Sequence, residues 1–324
     1  MQPPSRRTFL ALGLLIAAGG ALTACTDQHD AAPGTPAGDH RPDPDEPVRL
    51  RAVAATDTLL AGYDALLPQS PQLQSLRAEV AQHRAALAAG LPTTPTPTPA
   101  TGPLPTTTSA VTTPAALATL ERQTAQSRLA DLGAASPRLA RLLASVSASG
   151  VLHAVALGDD APAPAPAPSP SATGDPATAF QDALSAEHAA VYGYGVVGAR
   201  LPDAQRTDAR TALAAHQARR DAWQRLLTGT GATPAPAAAG YQLPFPVTDA
   251  AAATRLAAHL ETRLTTVYAD LVATAPTTRR TLAADALREC ALRATRWGAA
   301  PTPFPGLPDQ TTPSTPTPST PSTP

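Results

Sequence analysis

The sequence predicts an all-α protein whose helices fall into two blocks of four. Three observations predict this. Aromatic residues make up only 3% of the 324-residue chain and Ile occurs once, at Ile16, whereas strands favour β-branched and aromatic side chains. The prolines, 38 in all, gather in low-complexity stretches and leave the Ala-, Leu- and Arg-rich segments free to be helical. Within those segments apolar residues recur at steps of three and four, the period of one helix face.

The chain opens with Arg6 and Arg7, followed by an apolar run from Phe9 to about Ala24 interrupted by Gly13, Gly19 and Gly20. The run is too short and glycine-rich for a membrane span of ~20 apolar residues. It reads as a signal peptide, residues 1–24. Its end, Leu22-Thr23-Ala24-Cys25, resembles the lipobox of bacterial lipoproteins, which places a lipid on Cys25. Two acyl chains hold a protein where one binds only marginally. Ser5-Arg6-Arg7-Thr8-Phe9-Leu10 resembles the twin-arginine signal. The expectation is export and anchoring on the outer face of the cytoplasmic membrane, with an envelope protein as the expected partner.

Residues 25–46 read as a disordered polar tether, 158–175 as an Ala/Pro-rich semi-rigid spacer, and 309–324 as a disordered Thr/Pro tail. The blocks between them span 47–157 and 176–308. The first predicts helices near 48–67, 71–90, 114–132 and 137–157. The second predicts helices near 176–201, 203–228, 249–274 and 278–298. Pro68, Pro71, Pro137, Pro202 and Pro276 mark the breaks. Net charge is −1, which gives no reason to expect nucleic acid as a partner. With Cys25 lipidated, Cys290 is a lone thiol, expected to be buried.

In both blocks the first and third connections are short and the middle one is long, residues 91–113 and 229–248. One long crossover between two antiparallel pairs is the connectivity of ferritin-like bundles; plain up-down bundles have three short links. Its repetition suggests two tandem bundles related by duplication. Ala81-Gln82-His83-Arg84 echoes Ala215-His216-Gln217-Ala218, and Leu120-Glu121 echoes Leu260-Glu261.

Helical geometry then sorts the polar residues of the second block. Phe180, Leu184, Glu187, Val191, Tyr194, Gly198 and Leu201 form one core-facing seam. Leu213, His216, Arg220, Trp223 and Leu227 form another. Glu261 falls inside the apolar arc of its helix and His259 outside it. Glu289 falls opposite the seam Ala283, Leu287, Cys290, Ala294 and Trp297, so it is expected at the surface. A buried carboxylate must be paired, protonated or metal-bound. Two readings therefore stand. Glu187, His216 and Glu261 could bind iron, manganese or zinc from three helices, with His188 close behind. Alternatively, Arg220 neutralises the glutamates and His216 bonds to them. In the first block His83, Glu121 and His153 lie on or near core seams, and Thr56 or Asp57 stands where Glu187 would.

Ala186-Glu187-His188-Ala-Ala-Val-Tyr-Gly-Tyr-Gly195, His216 to Asp221, Tyr241-Gln-Leu-Pro-Phe-Pro-Val247, Leu260-Glu261 and Trp297 through Leu307 resemble a ferritin-like domain of unknown function found in exported actinobacterial proteins. That resemblance implies a ferritin-like fold over about 176–308 and no established activity. Di-iron members of the wider superfamily carry Glu-x-x-His on the second and fourth helices. Here those positions read Leu213-x-x-His216 and Glu289-x-x-Leu292, an incomplete set. No Cys-x-x-Cys, phosphate loop or serine elbow occurs either. The leading expectation is a non-catalytic binding or structural lipoprotein; the alternative is a metal-binding or redox protein with a reduced Glu/His ligand set.

Overall fold

The computed structural model describes residues 43–91, 111–160 and 177–308, and all regular structure among them is helical. The first half holds α1 (Glu46–Leu66), α2 (Gln74–Ala88), α3 (Pro114–Ala130) and α4 (Pro137–Ala156). The second holds α5 (Ala177–Arg200), α6 (Asp203–Gly229), α7 (Ala250–Thr274) and α8 (Arg280–Arg296). Short 3-10 turns at 71–73, 131–133 and 277–279 abut α2, α3 and α8. The signal, Cys25, most of the tether and the Thr/Pro tail lie outside the described residues, as do 92–110 of the first crossover, 161–175 of the spacer and residue 176.

The helix starts follow local chemistry. Pro114 and Pro137 sit in first turns, where no amide hydrogen is required. Thr113 accepts from the Ala116 amide at 3.2 Å, Ser136 from Leu139 at 3.3 Å and Asp249 from Ala252 at 2.7 Å, which satisfies amides that a helix start leaves free. The fold begins before the expected end of the tether. Asp45 is buried and accepts from the Ser136 amide at 2.7 Å, tying the start of α1 to the start of α4.

Packing repeats across the halves: α1 lies on α2 and α3, and α3 on α4; α5 lies on α6 and α7, and α7 on α8. The halves are not held apart by a spacer, as the Ala/Pro stretch predicts. They share a core, because α4 packs against α7 and α8. One apolar cluster runs from Val48, Leu139 and Leu143 to Phe180, Trp223, Leu271 and Leu287. Polar contacts cross the same seam: Arg280 donates to the Leu132 and Ala135 carbonyls at 2.8 and 2.6 Å, and Arg141 pairs with Asp270 at 2.8 Å. α4 is long and apolar enough to cross a membrane, yet most of it is buried inside the protein. Its small residues Ser145, Ser147 and Ser149 are buried too; Ser147 donates to the Ala125 carbonyl at 2.9 Å, a close α3–α4 approach.

The segment after α8 finishes the seam. Phe304 is buried edge-on to His83, with ring centroids 5.3 Å apart. The Pro303 carbonyl accepts from His83 Nε2 at 2.6 Å and the Pro305 carbonyl from Ser145 at 2.8 Å. Gly306, at φ +79°, lies so close to α7 that a Cβ there would stand 2.4 Å from the Thr265 carbonyl oxygen. Only glycine meets both demands at little cost.

Candidate functional site

The second half builds a buried polar centre from α5, α6, α7 and α8. Glu187, His216 and Glu261 are fully buried, and the fold brings them together. His216 Nδ1 donates to Glu187 Oε2 at 2.7 Å and Nε2 donates to Glu261 Oε1 at 3.1 Å. Both acceptors are carboxylates, so both ring nitrogens carry protons and the side chain is an imidazolium. Burial alone would lower its pKa, but the charges of Glu187 and Glu261 outweigh burial and push it up to about 9.

Each glutamate has further donors. Tyr268 donates to Glu187 Oε1, and Trp223 Nε1 donates to the Tyr268 hydroxyl at 3.3 Å. Tyr194 donates to Glu261 at 2.6 Å and Arg293 Nε at 2.7 Å. Burial raises the pKa of Glu261, yet Arg293 and His216 overcome this and hold it at about 2. Arg219 pairs with Glu289, and Arg293 reaches Glu289 at 3.6 Å. Three carboxylates (Glu187, Glu261, Glu289) thus meet three cations (His216, Arg219, Arg293). The buried Cys290 thiol lies 3.6 Å from Arg293, its pKa raised well above the usual value by burial.

Three expectations need correction. Arg220 does not neutralise the glutamates; it lies at the edge of α6 and pairs with its neighbour Asp221 at 2.7 Å. Arg219, one residue earlier and 100° around the helix, takes the inner place. Glu289 is buried, because α8 packs on α7 and α4 while facing Arg219 of α6, which leaves its polar face little solvent. His188 is buried but outside the centre. Its Nε2 donates to the Ala235 carbonyl at 3.2 Å and pins the second crossover beside Gln181.

The centre does not suit a metal. Both His216 nitrogens are spent as donors, and two guanidinium groups stand where a divalent cation would be repelled. Glu261 Oε2 is the one buried carboxylate oxygen without a hydrogen-bond partner among the described residues, and a single oxygen is no coordination shell. Among the described residues no group of three or more His, Cys, Asp or Glu side chains is placed to hold a metal ion.

The first half builds a related centre. Tyr63 donates to Glu121 at 2.8 Å; His153 bridges Glu121 and Glu79, each at 3.1 Å. Burial works against the charged form here too, but the two carboxylates push the His153 pKa up to about 9. His83 stacks on His153 with ring centroids 5.8 Å apart, and its own pKa is held well down by burial. Arg128 donates to Thr56 at 3.0 Å. Of these, His83, Glu121, His153 and Thr56 stood out in the sequence, while Tyr63, Glu79 and Arg128 did not. Tyr194 already stood on the core-facing seam of its helix, and Tyr63 could have been found from spacing, since it lies two turns beyond Thr56 as Tyr194 lies two turns beyond Glu187.

Residues 179–309 match the family described as a domain of unknown function, DUF4439. Through these residues the chain belongs to that family. It is also similar to the crystal structure of a conserved hypothetical protein, rv2844, from Mycobacterium tuberculosis. The two are 44% identical over 37% of this chain and 92% of that one, with a TM-score of 0.36. No curated protein matches. The polar centre of the second half, from Glu187 to Arg293, falls inside the matched domain. The first half and its Glu79–His153–Glu121 bridge lie outside it.

Proposed function

We propose that this is a cell-envelope lipoprotein, exported through its Arg6-Arg7 signal and held by lipid on Cys25. In this reading two ferritin-like bundles, related by duplication, form a non-catalytic binding or structural module. The observation that carries the non-catalytic reading is the balanced charge of the second-half centre. Where carboxylate bundles hold metal, this chain has an imidazolium and two guanidinium groups of its own. His216, Tyr194, Tyr268, Arg219 and Arg293 are each already bonded to or paired with a carboxylate of the centre.

Register supports the duplication. Thr56 and Tyr63 on α1 repeat the seven-residue step of Glu187 and Tyr194 on α5. Glu121 and Arg128 on α3 repeat that of Glu261 and Tyr268 on α7. Tyr63 bonds Glu121 as Tyr194 bonds Glu261, and Arg128 bonds Thr56 as Tyr268 bonds Glu187. The fourth helix follows suit: His153 reaches Glu121 where Arg293 reaches Glu261. Three matched contacts in the same places favour a common ancestor for the halves over chance packing. The long second crossover, residues 230–249, joins α6 to α7 as ferritin-like connectivity requires.

Dialysis against a chelator tests the reading. The protein is expected to keep its melting temperature and its helical circular dichroism; a large loss would favour the metalloprotein alternative. Cell fractionation tests the anchor, since a Cys25→Ser variant is expected to leave the membrane fraction.

A further inference from the structure

The first-half centre contains a cation that the second half has no counterpart for. Arg128 is fully buried, with 2% of its surface exposed. Among the described residues its hydrogen bond goes to a neutral group, the Thr56 hydroxyl at 3.0 Å, and that hydroxyl already donates to the Ala52 carbonyl at 2.6 Å. The guanidinium nitrogens Nε and Nη1 are both buried with no hydrogen-bond partner among the described residues. Burial lowers its pKa to about 10, against the charge of Glu121, which raises it. Glu121 itself is engaged by Tyr63 and His153.

The equivalent place in the second half shows what is missing. There the residue matching Thr56 is Glu187, whose carboxylate receives Tyr268, the match of Arg128. The first half has gained a cation on one helix and lost the carboxylate opposite it. A buried guanidinium with two unmet donors is strongly disfavoured unless something negative approaches it. We propose that Arg128, held in place by its bond to Thr56, forms a binding site for a small monovalent anion of chloride or formate size. The anion accepts from Arg128 Nε and Nη1 and supplies the charge that Glu187 supplies in the other half. The site is built for a small ion, because it lies between α1 and α3 in the interior and is out of reach of bulk phosphate esters or peptides.

Thermal unfolding of the full chain in sodium chloride or bromide tests this against a bulky arylsulfonate at equal ionic strength. The wild type is expected to melt about 5 °C higher once the halide exceeds its dissociation constant by roughly a hundredfold. Thr56→Glu supplies an internal carboxylate, so it is expected to lose that dependence and to melt higher at low halide. Equal responses of wild type and Thr56→Glu would overturn the proposal. Diffraction from bromide-grown crystals gives a second readout that needs no variant. An anomalous peak within hydrogen-bond reach of Arg128 is expected, and an ordered water there without such a peak would refute the anion.

Discussion

His216 Nδ1 lies 2.7 Å from Glu187 Oε2, with neither side chain reached by solvent. This contact sets the pH range in which the protein is most stable. The His216 pKa is raised in the fold from 6.5 to about 9, and His153 in the other half is raised to the same level. A raised pKa contributes stability that is complete below the unfolded value and is lost as pH rises through the folded one. Stability is therefore expected to fall between pH 6.5 and 9, approaching a slope of two protons. Glu261 works at the other end. Its pKa is lowered from 4.5 to about 2, so its contribution holds above pH 4.5 and fades as pH drops towards 2. The buried His83, whose pKa is held well down, stays neutral while its unfolded form takes up a proton, so stability is also expected to fall below pH 6.5 and to peak near pH 6.5 in denaturant titrations; stability still rising from pH 7 to 9 would contradict the imidazolium assignment.

Truncating His216 leaves two buried carboxylates with less compensation. His216→Ala is expected to cost ~3–5 kcal/mol, the range for breaking a buried ion pair. Arg220→Ala is the control. Among the described residues its polar contact is to Asp221 at the edge of α6, so its loss is expected to fall within about 0.5 kcal/mol of zero. Urea unfolding of the two variants distinguishes the true members of the centre from their sequence neighbours.

The two tyrosines test the equivalence of the halves. Tyr63→Phe removes the 2.8 Å bond to Glu121, and Tyr194→Phe the 2.6 Å bond to Glu261. Each is expected to cost about 1.5–3 kcal/mol, since the acceptor is charged and buried. The pair shares no partner, so the double variant is expected to lose the sum of the two single losses. A Tyr63→Phe variant as stable as wild type would argue against a working polar centre in the first half.

The glycine that closes the C-terminal segment makes a separate prediction. Gly306→Ala adds a Cβ 2.4 Å from the Thr265 carbonyl at a positive φ. Backbone must move, and a cost of ~2 kcal/mol or more is expected. Gly193→Ala also clashes, at 2.6 Å, but against the tip of the Leu260 side chain, which can rotate away. Its expected cost is about 1 kcal/mol. Melting temperatures of the two variants give the comparison.

The helices were legible in the sequence because their breaks are prolines and their seams are apolar at a strict period. Glu187, His216 and Glu261 were legible for the same reason: each interrupts an apolar stripe. The partners of these residues were not. A helical wheel gives the direction of a side chain only to within about a residue, and one residue separates Arg219 in the centre from Arg220 at its edge. Glu289 misled because its helix has two buried sides, and a wheel drawn for a single bundle assumes one. One of those sides faces Arg219 of α6, where Glu289 lies, and α4 of the first half also packs against α8. Nothing in a periodicity pattern reports a contact between halves joined by a long Ala/Pro stretch.

Metal content is the most direct test of the central claim, which is that the acidic centre is neutralised by the protein's own cations. Mature protein would be isolated from its native envelope without added metal and its composition determined by elemental mass spectrometry. The expected result is iron, manganese and zinc far below one equivalent per chain, with His216 remaining an imidazolium at pH 7 by nuclear magnetic resonance. One equivalent or more of any of these metals, lost from a Glu187→Ala variant, would contradict the account and make Glu187, His216 and Glu261 ligands.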